Sequence, residues 1–199
     1  MPVIKSLLLC LLLFPRPSPG DAGLLEKVRS ALRASQPFRV VFVQQVFIAD
    51  QKEIEESGEI IFIDHQHLRW NYLVPEKKIF LLQGDAYQFL LAEEGQLLRG
   101  RIGRQNEQLI WQILFDDRVD RPVTIDKKET VITIQGREDD FFSQLEIHLN
   151  RRYLPERVVQ TDVAGLKTIY QFSHYQERLP LKSAALRFDI PAGVEIIDQ

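Results

Sequence analysis

Apolar and polar residues alternate through 38–74, FRVVFVQQVFIADQKEIEESGEIIFIDHQHLRWNYLV. The pattern predicts two apolar strands joined by a charged turn, then a third strand built on Leu68, Trp70 and Tyr72. Strand side chains alternate faces, so Phe38, Val40, Phe42, Val46 and Ile48 point one way. With the same parity after the turn, Ile60, Phe62, Leu68, Trp70 and Tyr72 join them. The result is a wide, aromatic-rich face on a short piece of sheet, and it serves either as plain core or as an apolar binding surface.

Ahead of it, residues 23–34 (GLLEKVRSALRA) place Leu24, Leu25, Val28, Ala31 and Leu32 on one helical stripe. Asp21 is the expected cap, and Pro37 ends the helix. The stripe, with Leu25, Val28 and Leu32 at its centre, either packs as an ordinary core helix or closes over the aromatic face as a removable cover. Beyond Pro75, Ile79–Leu82 and Tyr87–Leu91, the second carrying Phe89, form a hairpin through Gly84-Asp85. Residues 99–108 are polar and read as a loop. Leu109–Phe115 has helical spacing and leaves Trp111 free to reach another surface. Further strands are predicted at Thr130–Ile134, Phe142–Leu149, Glu156–Asp162, Lys167–Phe172 and Leu186–Ile190. About ten strands joined by short turns imply a mainly β fold, a single antiparallel sheet that curls into a barrel or half-barrel. Covered by one or two helices, such a sheet keeps an apolar concavity.

The N-terminus changes the picture of where the chain works. Lys5, the apolar run Leu7–Phe14 and the breakers Pro15, Pro17 and Pro19 describe a secretory signal peptide over 1–22, leaving one domain over 23–199. The apolar run is too short to span a bilayer. Cys10, the only cysteine, lies inside it. It follows Leu9 rather than a small residue and comes too early for a lipid anchor, so the exported chain is expected to hold together without a disulfide. Without residues 1–22 the balance is 23 basic against 27 acidic residues, and the cations are scattered. Nucleic acid is not an expected partner.

Candidate chemistry is sparse. His65 and His67, two apart in an expected strand beside Asp64, begin a metal site but lack further ligands. His148 and His174 stand alone. The serines have no nucleophile-elbow context, and Gly100 and Gly103 open no phosphate loop. The pairs Glu55-Glu56, Asp116-Asp117 and Asp139-Asp140 fall in expected turns, where carboxylates are solvated. No catalytic residue, cofactor or metal site is expected, and the chain does not read as an enzyme.

Phe38-x-x-x-Phe42-x-Gln44, Gly58 opening a strand, Leu68-Arg69-Trp70 and Pro75 resemble the front half of the periplasmic lipoprotein carrier (LolA-like) family. Leu154-Pro155-Glu156 with Asp162-Val163-Ala164-Gly165, and Phe188-Asp189-Ile190-Pro191-Ala192-Gly193-Val194, resemble its later stretches, so the likeness spans residues 24 to 197. The resemblance implies an unclosed β half-barrel with lid helices and a periplasmic, monomeric carrier. Such a carrier takes lipoprotein acyl chains from an inner-membrane release complex to an outer-membrane acceptor. It places Phe38, Phe42, Phe62, Leu68, Trp70 and Tyr72 on the cavity wall. Asp64-His65 stands where many members carry an Arg-Pro latch, and an aspartate cannot donate the same hydrogen bonds. Two other readings compete. One is a lipid-occupancy sensor of the same fold that binds a membrane partner, although such sensors usually carry a second domain for which no length remains before Gln199. The other is a hydrolase with scattered residues.

Overall fold

Register in a sheet follows from which face must be buried, and here one face is buried across most of its width. The computed structural model describes residues 19–102 and 123–199, apart from 50, 127–129, 138, 139, 141 and 182. A helix, α1 (Pro19–Ser35), precedes β1 (Phe38–Ile48), β2 (Gln51–Asp64), β3 (His67–Val74), β4 (Lys78–Gln83), β5 (Ala86–Leu91) and β6 (Gln96–Arg101). The second half adds β7 (Val123–Asp126), β8 (Val131–Gln135), β9 (Gln144–Leu149), β10 (Pro155–Thr161), β11 (Lys167–Gln176) and β12 (Glu195–Asp198). The twelve strands among the described residues form one sheet, in the order β12-β6-β5-β4-β3-β2-β1-β11-β10-β9-β8-β7. Strands β6 and β7, on either side of residues 103–122, therefore stand near opposite ends of the described sheet.

The sheet is curled and does not close. Its main core joins Phe38, Phe42, Ile60, Phe62 and Leu68 of β1–β3 to Ile132, Ile134, Leu145 and Ile147 of β8 and β9, with Val28 and Leu32 of α1 between them. Residues several strands apart meet in one cluster only because the sheet bends around α1. A second, smaller cluster lies on the other face, where Ile61 and Leu81 pack against Leu186, Phe188 and Leu181. Ile61 and Leu81 have the opposite parity to Ile60 and Leu82, as alternation requires.

Several expectations are corrected. Among the described residues α1 is the single α-helix, joined by one short 3-10 turn at Ser183–Leu186, and the second helix expected, at Leu109–Phe115, lies outside the described residues. It starts at Pro19, which puts Asp21 inside the first turn and not at the cap. The charged stretch after Ile48 is not a turn: β2 begins at Gln51 and pairs with β1 from Gln51↔Ile48 onward, so Glu55 and Glu56 are strand residues. Leu186–Ile190 is not a strand. Its apolar residues mark a C-terminal strap packed on the outer face, and the last strand is β12 instead. That strand pairs with β6 in parallel, an exception to the antiparallel rule of every other pair. Arg99–Arg101, read as loop, belongs to β6. Gly100 there lies under the Tyr87 ring, where an added Cβ would come within 2.9 Å of the ring.

The strap is fastened at both ends. Arg178 N–H donates to Ser35 O at 3.0 Å and Leu179 N–H to Pro37 O at 3.0 Å. Glu177 accepts from the Ser35 hydroxyl at 3.1 Å and pairs with Arg152. Farther along, Arg69 Nη1 donates to Arg187 O at 2.7 Å. These bonds fix the C-terminal end of α1 to the chain leaving β11.

Candidate functional site: the inner aromatic face

Cross-strand neighbours share a face, and the register runs one apolar row across the sheet. Val40 faces Ile60, Ile60 faces Trp70, Trp70 faces Phe80, Phe80 faces Phe89 and Phe89 faces Leu98. A second row runs Phe38, Phe62, Leu68, Leu82 and Tyr87. The rings meet directly. Phe38 stacks on Phe62 with centroids 4.8 Å apart, while Phe42 meets Trp70 edge-on at 5.3 Å and Tyr72 at 5.1 Å. Trp70 lies parallel to Tyr72 at 6.0 Å and edge-on to Tyr170 at 5.7 Å. Such arrangements suit the ring quadrupoles. Gly58 makes room for this packing. A Cβ there would sit 1.9 Å from Asn71 O and 3.0 Å from the Phe42 ring.

The face has a dry end and a polar end. Phe38, Val40, Phe42, Ile60, Phe62 and Leu68 are wholly buried and Trp70 nearly so. Tyr72, Phe80, Phe89 and Leu98 are half-buried. At the far end of β1 the same face turns polar: Gln44 lies opposite Glu56 on one side and Tyr170 on the other. Tyr72 donates its hydroxyl to Gln44 Oε1 at 3.2 Å, and Lys78 Nζ donates to the buried Glu56 Oε1 at 2.6 Å. Burial and the Glu56 carboxylate push the Tyr170 phenol up to about 12. Burial, Tyr170 and Glu56 hold Tyr72 well above the usual range. The indole N–H of Trp70 is buried without an acceptor.

Of the residues expected to line a cavity, Phe38, Val40, Phe42, Ile60, Phe62, Leu68 and Trp70 are thus gathered on one face in one core cluster, with Tyr72 packed against it. Phe89 joins through Phe80, at a centroid distance of 6.1 Å. Trp111 lies outside the described residues, as does Leu109–Phe115. In α1, Val28 and Leu32 are wholly buried in the same cluster and Leu25 packs at its margin. The deepest part of the face packs with α1 and its own rings, while Tyr72, Phe80, Phe89 and Leu98 stay half-buried. A groove of about 310 Å³ opens on the opposite face, beside Phe47, Arg157 and Lys167.

Phe80, Tyr170 and Phe172 belong to the face and carry no sign of it in the sequence. Cross-strand register brings Phe80 between Trp70 and Phe89, and only pairing order could place β11 beside β1. The histidine pair dissolves: His65 lies in the turn after β2, while His67 starts β3, its Nδ1 2.9 Å from Asp64 Oδ1. Asp64 also accepts Gln66 N–H at 2.8 Å, so it is engaged within its own turn. Among the described residues no group of three metal-type ligands gathers.

The family model for the outer membrane lipoprotein carrier protein LolA matches residues 33–189. The chain belongs to the LolA family. Solved structures repeat the architecture. An uncharacterized conserved protein from Thermus thermophilus is 14% identical with a TM-score of 0.59, the match covering 90% of this chain and 99% of that one. A LolA superfamily protein from Nitrosomonas europaea is 12% identical with a TM-score of 0.53, covering 84% and 97%. The MucA/MucB complex of Pseudomonas aeruginosa matches at 14% identity and a TM-score of 0.51, covering 88% of this chain and 62% of that one. At these identities the likeness establishes the LolA fold. No curated protein matches the chain.

Proposed function

We propose that this LolA-family chain is a periplasmic carrier that shields acyl chains of lipoproteins or related lipids from water between inner and outer membranes. The observation that carries the reading is the inner face: a continuous row of apolar and aromatic side chains over β1–β6, with Val28 and Leu32 of the amphipathic helix α1 packed into the same core cluster. Burying a methylene is worth about 0.8 kcal/mol, so a sixteen-carbon chain gains on the order of 12 kcal/mol gross. Lifting α1 re-exposes Val28 and Leu32, which offsets part of that gain and lets cargo leave. The helix trades its own contacts for those of the tail. Its C-terminal end, tied through Ser35, Glu177 and Arg178, is the pivot. Lys5 and the apolar run of residues 7–14 are read as the export signal. Among the described residues no helix is long and apolar enough to cross a membrane. The partners implied are an inner-membrane release complex and an outer-membrane acceptor, and no catalytic step is involved.

Uptake of a fluorescent sixteen-carbon acyl probe tests the reading. The parent binds it, and Phe89→Glu, which sets a charge on the half-buried part of the face, weakens binding about tenfold or more while the sheet stays folded. Equal uptake by both would contradict it. An acyl-ester turnover assay gives no product. A sensor reading, in which occupancy alters binding to a membrane protein, draws on the fold shared with MucB in its complex with MucA. It predicts a lipid-dependent protein partner where the carrier reading predicts lipid transfer between vesicles.

A further inference from the structure

On the aromatic face, beside Tyr72 and Tyr170, one buried donor has no acceptor. Gln44 Oε1 is taken by the Tyr72 hydroxyl and Glu56 Oε1 by Lys78. Trp70, 94% buried and ringed by Phe42, Tyr72 and Tyr170, has an indole N–H with no acceptor. A buried N–H without a partner is disfavoured and rare, and it marks where an acceptor belongs. The surrounding charge restricts what that acceptor is. Lys78 lies 2.6 Å from Glu56 and 3.5 Å from Glu76, so two carboxylates oppose one ammonium. Both neighbouring tyrosines have their pKa raised partly by Glu56, a sign of negative potential at this end.

Resting on the carrier reading, we infer that Trp70 donates its N–H to the uncharged carbonyl of an acyl ester or amide, which selects esterified tails over free fatty acids. The tail then runs along the apolar row toward Phe80 and Phe89, while its carbonyl stays at the boundary between Trp70 and the Gln44–Glu56–Lys78 group. A carboxylate in that position meets Glu56, whose partner Lys78 is already shared with Glu76. An ether has the same tail but gives the N–H no comparable acceptor.

The test is calorimetric titration of the exported chain at pH 8 with three sixteen-carbon probes: a monoacylglycerol ester, its glyceryl ether analogue and hexadecanoate. The ester is expected to bind about threefold to tenfold more tightly than the ether, the range a single net hydrogen bond supports. Trp70→Phe removes that preference, so that ester and ether then bind the variant with equal affinity, whatever the variant's overall affinity. Hexadecanoate binds more weakly than the ester, and Glu56→Gln narrows the gap. Equal binding of ester and ether by the parent chain, or an ester preference that survives Trp70→Phe, overturns the role of Trp70. Hexadecanoate binding as tightly as the ester overturns the charge selection. Failure of all three to bind overturns the acyl-carrier reading itself.

Discussion

At the scale of single residues, the inner face behaves as core, and that decides which substitutions are informative. Phe42 is wholly buried against Trp70 and Tyr72. Phe42→Glu therefore places an uncompensated charge in the interior and is expected to destabilise the fold by more than about 3 kcal/mol. Phe89→Glu, at a half-buried position, changes stability far less; paired urea melts check both. Gly58→Ala drives a Cβ into Asn71 O and the Phe42 ring. About 2–4 kcal/mol of stability should be lost, read from the same melts. The tyrosines set the alkaline limit. A phenol whose folded pKa exceeds its unfolded value stabilises the fold fully below pH 10, and that contribution is lost as pH rises toward about 12 at Tyr170. Stability should fall across that window, and Tyr170→Phe should flatten the fall. A parent curve as flat as the variant's would contradict the assignment.

At the scale of elements, what is legible in the sequence depends on how local the signal is. The α1 stripe and the β1–β5 alternation are visible because each needs only its own periodicity, 3.6 or 2 residues. The strap at Leu186–Ile190 imitates a strand because it too meets an apolar surface on alternate residues, Leu186 and Phe188 packing on Ile61 and Leu81. Strand β6 is hidden by Arg99 and Arg101, whose polar side chains resemble a loop although Gly100 between them lies under Tyr87. The charged run in β2 imitates a turn for the same reason: Glu53 and Glu55 are exposed on a strand that extends beyond the core. Of the candidate site, the even-numbered residues of β1–β3 are legible, whereas the contribution of β11 is not, since a strand distant in sequence gives no local sign of its partner. The behaviour of α1 follows from its anchoring. Hydrogen exchange should show amides of residues 24–32 exchanging faster when acyl ligand is bound, while Arg178 and Leu179, bonded to Ser35 and Pro37, stay protected. Unchanged or slower exchange throughout α1 would mean that the helix is fixed structure and not a cover.

At the scale of the whole molecule, an open twelve-stranded sheet wraps one helix and ends in two four-residue strands, β7 and β12, short enough to limit edge-to-edge association among the described elements. Its interior is mainly apolar, and among the described elements the amphipathic helix α1 packs into it with burial that, in the proposed function, an incoming hydrocarbon tail replaces. That exchange is the central claim, and native mass spectrometry of the protein recovered from cells that express it tests it most directly. The account predicts a one-to-one complex carrying acylated lipid whose mass is identified after extraction, with the lipid lost on Phe89→Glu. Bare protein alone, from cells able to supply acylated lipid and under conditions that preserve other lipid complexes, would contradict it.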